Sequence, residues 1–392
     1  MHTDNQINSI NNPKAYVINV IEEFDYSTQS DEYNEEFKTW RMKKSNRFSY
    51  NYLHNMKERI FVDGQGFISS SAAEVEHDIL FRVLTVLGNL FITFIFIEKV
   101  FEKFLIEILD IAGFNIHNSF ISGSVYGGKS EVLVMTVVIN VLKYFIPVAI
   151  MHRRFKMPNR VRYPSRKCDL SAWFYATSIS FIVAVVSSIS HAYSYQTKEL
   201  YNYFNNSTID FSFFSEYELV VYLFFDIIVM SIMNELMFHG EAFHVLRQFG
   251  DLFAVIFSAV FSTLIIGNFR LMPGNFLVSM ISGIVLLRTG NISMSIYVQM
   301  LNKLYLLGLI ILESSNNEYM FMTRSTYMSV VFAIGVIIFL VVKAVDQREN
   351  VLKANLRTYL PTLNKIETVF RCLPLVGVII ACFFASIWNI MT

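Results

Sequence analysis

From Ile79 onward the chain alternates long apolar runs with short polar interruptions. The runs fall at about 79–97, 131–151, 170–190, 217–238, 252–267, 275–288, 292–312, 327–343 and 372–391. About 20 apolar residues wound as a helix at about 1.5 Å per residue cross the roughly 30 Å hydrocarbon layer of a bilayer, so the pattern predicts about nine membrane-spanning helices. The run 275–288 is short for that distance and is expected to tilt, to thin the bilayer or to continue through Arg288. A further stretch, 99–112, follows Glu98 and carries Lys99, Glu102 and Lys103 at its start, and it reads as an amphipathic helix at the interface. Ahead of the runs, residues 1–77 are polar and Asn-rich, acidic from Glu22 to Glu36 and basic from Lys38 to Arg47. They are expected to form a mobile cytoplasmic tail on a transmembrane domain at 78–392. The first apolar run begins too late for a signal peptide.

Composition points the same way. Hydrophobic residues make up 54% of the chain and charged residues only 16%, with a mean hydropathy of +0.43, whereas soluble domains carry about 25% charged residues. A soluble globular enzyme is excluded, and the fold class is an all-α polytopic helical bundle whose first partner is the lipid bilayer. Lys and Arg together number 32, as do Asp and Glu, so no net field attracts nucleic acid. Cys168, Cys372 and Cys382 are widely spaced and define neither a disulfide framework nor a metal site.

Basic residues in short loops set orientation. The loop 152–167 holds Arg153, Arg154, Lys156, Arg160, Arg162, Arg166 and Lys167 without an acid, which makes it cytoplasmic. Propagation places the N-terminus in the cytosol, 192–215 and 313–326 outside, 343–371 inside and the C-terminus outside, in a multi-pass protein of the cell membrane. Lys343, Arg348, Lys353, Arg357, Lys365 and Arg371 in the last inside loop agree independently. The loop 192–215 contains a glycosylation-type sequence at Asn205-Asn206-Ser207-Thr208, a pattern frequent by chance.

Ionisable groups inside a bilayer are costly, so the few present are informative. They are Lys143, Asp226, Glu235, His239 and Lys303, accompanied by Asn140, Asn234, Gln299 and Asn302. Glu235 and His239 share a helix face four residues apart, and Gln299 and Asn302 share another at three. Two polar faces on two spans predict a common interior site. Each has a plainer reading beside it: the amides can simply tie helix to helix, Lys143 and Asp226 can form a structural pair, and His244 is expected at the interface.

The stretch Asn234-Glu235-Leu236-Met237-Phe238-His239-Gly240 resembles the Glu-Glu-x-x-Phe-Arg-Gly signature of the CAAX prenyl protease 2 / bacteriocin-processing intramembrane protease family, known as CPBP or Abi. Leu287-Arg288-Thr289-Gly290-Asn291-Ile292, running on to Ser295 through Asn302, resembles that family's Leu-Arg-Thr-Gly-Ser-Leu segment and the helix after it. Ala254 to Gly267 resembles its small-residue Phe-x-x-x-His helix. The resemblance covers about 217–312 in the expected order.

It implies a helical core in which a glutamate and histidines activate water to cut a membrane-associated peptide. Carried over residue by residue, the first Glu falls on Asn234, the second on Glu235 and the Arg on His239. The middle His falls on Ile265 or Ile266, and the final His-x-x-x-Asn on Gln299 and Lys303, with Asn302 one position early. No histidine follows His244. The resemblance therefore implies a scaffold kept while its acid–base set is largely replaced.

The reading placed first is a catalytically degenerate member that acts by binding a membrane or cell-envelope protein or peptide, or in peptide self-immunity. The alternatives are an active intramembrane endopeptidase with a rearranged Glu235, His239 and Asn302 set, and an unrelated multi-pass transporter. The composition is that of a low-GC bacterium. No cofactor is called for, and Glu235 with His239 offers two metal ligands where a catalytic zinc takes three. Lys303, deep in its span, should pair with Glu235, with Asp226 as second choice.

Overall fold

The computed structural model describes residues 26–58, 61–63, 66–67, 71–118, 125–192, 215–269, 271–314, 320–345 and 358–391. Every apolar run is helical. Seven of the described helices are long and apolar enough to cross a bilayer. They are α3 (Ala72–Ile111), α4 (Lys129–Phe155), α5 (Leu170–Ala192), α6 (Glu216–Phe249), α8 (Met272–Thr289), α9 (Ile292–Ser314) and α10 (Met320–Val345). An eighth crossing exists if α11 (Thr362–Arg371) and α12 (Leu373–Met391), bent by 74° at their junction, form one broken span. The run at 252–267 yields only α7 (Asp251–Leu264), 14 residues long, about 21 Å and short of the bilayer thickness. Nine is thus an approximate count; the chain is a multi-pass membrane protein. The glycosylation-type sequence lies outside the described residues.

The stretch 99–112 does not stand apart as an interfacial helix. It continues the first span through a π-helical turn at Ile97–Phe101, so that α3 is a single element of 40 residues. At the bundle's centre α5 packs against α8, α9 and α10, while α7 lies along α8 and α12 along α3. Two small antiparallel hairpins, β1 (Phe61–Val62) with β2 (Gly66–Phe67) and β3 (Ile116–Asn118) with β4 (Val125–Gly127), sit in the connections.

Polar average composition conceals a docking surface in the first 77 residues. Residues 31–42 form α1 (Asp31–Met42), started by the Ser30 hydroxyl accepting from the Tyr33 backbone N–H and by Asp31 and Glu32 in the first turn. A second helix, α2 (Tyr50–Glu58), follows. Tyr33, Phe37 and Trp40 recur at helical spacing on one face of α1 and are buried in the same apolar core as Phe155, Phe243 and Phe249. Trp40 Nε1 donates to the Phe155 carbonyl at 2.9 Å. Residues 26–58 thus include a helix that packs on the bundle, because an amphipathic stripe, not mean polarity, decides whether a segment packs. Residues 1–25 lie outside the described residues.

Candidate functional site

Two departures from α-helical winding shape α6. It widens into π-helical turns at Phe225–Met230 and Leu236–Ala242. Such turns shift the register of side chains and expose backbone carbonyls, and they recur at functional sites. The first brings the Asp226 carbonyl within reach of α9, where Lys303 Nζ donates to it at 2.8 Å and to Asp226 Oδ2 at 2.9 Å. The expected Lys303–Glu235 pair is not formed; the second choice, Asp226, is the partner. The reason is axial position: the widened turn places Asp226 opposite Lys303, and Glu235 sits farther along α6 opposite the start of α9. The Lys143–Asp226 pair is likewise not formed. Lys143 Nζ stands 3.7 Å from Glu98 Oε2, and Lys99 holds the other Glu98 oxygen at 2.9 Å.

Glu235 is fully buried and fastens three helices. The Ser282 hydroxyl on α8 donates to its Oε1 at 3.2 Å, and the Ser295 hydroxyl on α9 donates to its Oε2. His239 Nδ1 stands 2.7 Å from Oε2, off the line of the ring N–H, and Nε2 has no hydrogen-bond partner among the described residues. Both sides of the Glu235 carboxylate are occupied.

The neighbouring face of α6 borders a cavity of about 110 Å³. Asn234 of α6, Ile265 and Ile266 just after α7, and Gln299 with Lys303 of α9 all line it. These are the positions onto which the resemblance carried the first Glu, the middle His and the final His-x-x-x-Asn. They come from three separated stretches of chain and meet in one place. Lys143, Asp226, Asn140, Asn275 and Ser231 complete the polar wall. The Ser231 hydroxyl is 1% exposed and lacks a partner among the described residues; in hydrocarbon such a group needs water or a ligand. Glu235 and His239 are not among the lining residues, and Asn302 is buried at 3% exposure. The two polar faces thus separate: Asn234, Gln299 and Lys303 face the cavity, while Glu235 and His239 face the packed helices behind it. Among the described residues no group of three or more His, Cys, Asp or Glu is arranged to hold a metal ion.

At the far end of α6, His244 is fully buried rather than interfacial, because α1 covers it. Tyr33 Oη lies 2.9 Å from His244 Nδ1 and accepts from Arg247 at 3.2 Å; Arg247 also donates to Asp251 at 2.7 Å and lies over the Tyr26 ring. Burial pushes the Tyr26 and Tyr33 phenols above their ordinary value, so both keep their protons. Nearby, Glu241 is fully buried with Arg162 Nε at 3.0 Å and the Tyr163 hydroxyl donating at 3.3 Å. Gly240 admits this contact: a Cβ there would stand 2.9 Å from the Tyr163 ring. Gly290 ends α8 with φ +64°, a conformation that favours glycine, and a Cβ would stand 2.5 Å from the Thr28 carbonyl oxygen.

The sequence pattern pointed to Asn234, Gln299, Lys303, Lys143 and Asp226 but not to Ser231, Ser282 or Ser295. Serines in apolar helices carry little signal, since their hydroxyls are commonly satisfied by a carbonyl one turn back. Arg162 and Glu241 were also missed as a pair, being far apart in the chain.

Residues 216–305 match the family model of the Rce1-like type II CAAX prenyl endopeptidases. The match runs from the first residue of α6 into α9. No curated protein and no solved structure matches the chain.

Proposed function

We propose that this membrane protein, whose residues 216–305 form an Rce1-like domain, holds a membrane-associated peptide or an envelope partner in its interior cavity without hydrolysing it. One observation carries the reading: Asn234, Ile265, Ile266, Gln299 and Lys303, at the positions where the family places its acid–base groups, line a single polar cavity. Peptide hydrolysis by water needs a base to take a proton and donors to hold the oxyanion. An amide at 234 takes no proton, the isoleucines offer no polar atom, and Lys303 is committed to Asp226. What remains around the cavity is the Asp226–Lys303 pair, Lys143, and a set of amides and hydroxyls suited to binding polar backbone.

The active-endopeptidase reading rests on Glu235 as base. It ranks second because that carboxylate is fully buried, is bonded by Ser282 and Ser295, and faces away from the cavity. We place the basic loop and the N-terminus in the cytosol and the C-terminus outside, on the charge distribution alone.

The test uses the full chain in nanodiscs with a photo-crosslinking residue at Gln299 and a membrane-anchored peptide library. Crosslinking of intact peptide, with no cleavage product, is the expected result. Cleavage that Glu235→Gln abolishes while the fold is kept would install the endopeptidase reading instead.

A further inference from the structure

A second, larger opening lies where the chain turns from α4 into α5, a cleft of about 510 Å³. Arg160, Arg166 and Lys167 line it from the loop, and Gln29, Ser30 and Glu32 line it from the start of α1. Three cations therefore face one carboxylate, which its own backbone N–H and the Ser30 hydroxyl hold below the usual range. Arg160 also stands 3.7 Å from Glu36, and Arg166 donates to the Thr28 carbonyl at 2.6 Å, which fixes its guanidinium at the rim.

Cytoplasmic loops carry excess Lys and Arg in any case, so charge alone marks no site. Two features go beyond that. The cations are arranged around a concavity, and Gln29, only 6% exposed, brings an Nε2 with no hydrogen-bond partner among the described residues. Gln29 thus sets a buried amide donor with no acceptor among the described residues beside three cationic donors.

Depth identifies the source of an anion for such a cleft. Leu170, the first residue of α5, is 76% exposed, with Phe174 at 52% and Trp173 at 40%. An exposed apolar face that begins at Leu170, with a tryptophan in its first turn, puts Arg166 and Lys167 at headgroup level. Guanidinium groups match phosphate oxygens in pairs, and basic clefts between spans take anionic lipid headgroups.

We propose that this cleft binds the phosphate of an anionic phospholipid headgroup. The site is independent of the interior cavity and of what that cavity holds.

The experiment measures binding of a fluorescent short-chain phosphatidylglycerol to the full chain in detergent. Arg160→Gln with Lys167→Gln should raise Kd roughly thirtyfold; both side chains are solvent-exposed, so the fold is kept. Gln29→Met should weaken binding while leaving the melting temperature equal or higher, an effect that a purely structural role for Gln29 would not produce. Unchanged binding in the double variant overturns the site. Displacement of the lipid by an equal concentration of inorganic phosphate overturns the lipid assignment in favour of a soluble anion.

Discussion

Lys303 gives the sharpest test of how this membrane core is built. Replacing it with Met removes an ammonium that makes two bonds to Asp226, to the backbone carbonyl at 2.8 Å and to the carboxylate at 2.9 Å. The Asp226 side chain is 7% exposed, so the carboxylate left behind is an uncompensated buried charge. Breaking a buried pair on one side costs about 3–5 kcal/mol. Water reaching Asp226 through the cavity it lines offsets part of that cost. A loss of about 3–4 kcal/mol is therefore expected.

Asp226→Asn should cost less, about 1–2 kcal/mol. Lys303, 21% exposed at the cavity, keeps the Asp226 carbonyl and reaches water. Lys303→Met with Asp226→Asn should recover at least about 2 kcal/mol of the summed loss. Lys303→Met with Glu235→Gln should recover nothing, since Glu235 is bonded to Ser282 and Ser295 instead. Unfolding by SDS titration in mixed micelles reads all four variants. Recovery with Glu235→Gln and none with Asp226→Asn would refute the pairing and the register of α6 against α9.

Ser295→Ala strips a buried Glu235 oxygen of its hydroxyl donor and should cost about 1–3 kcal/mol in the same titration, as expected for a buried acceptor left without a partner. A change below a few tenths would mean that Glu235 is not fastened there. Phe37→Ala should destabilise by about 3–5 kcal/mol, because Phe37 is fully buried between α1 and the bundle. A melting temperature that did not move would support the view of residues 26–58 as a detached tail. Reporter fusions after Thr208 and after Arg348 should report outside and inside respectively, and the opposite pair of signals would invert the orientation proposed from the basic loops.

What the sequence determined by itself is what depends on local pattern. Long apolar runs define helices in a bilayer because every backbone polar group must be satisfied within the segment, and all nine runs are helical. The family likeness was legible for a similar reason: it rests on short contiguous stretches, Asn234 to Gly240 and Leu287 to Asn302, and residues 216–305 match the family model. The common site expected of Glu235 and His239 with Gln299 and Asn302 was not legible in the same way: Asn234, Gln299 and Lys303 line the cavity, and Glu235 and His239 do not.

The partner of each polar group was left to tertiary structure. Helical wheels treat α6 as a regular helix, whereas two π-helical turns rotate one stretch of it against the next, giving Asp226 to Lys303 and turning Glu235 toward Ser282 and Ser295. No single-residue propensity encodes such a turn. The docking of α1 was hidden because Tyr33, Phe37 and Trp40 are diluted among Asp, Glu and Asn; their stripe finds its counterpart only where α4 and α6 end side by side around Phe155, Phe243 and His244. Burial is a property of two surfaces, and the sequence near Tyr33 specifies only one of them.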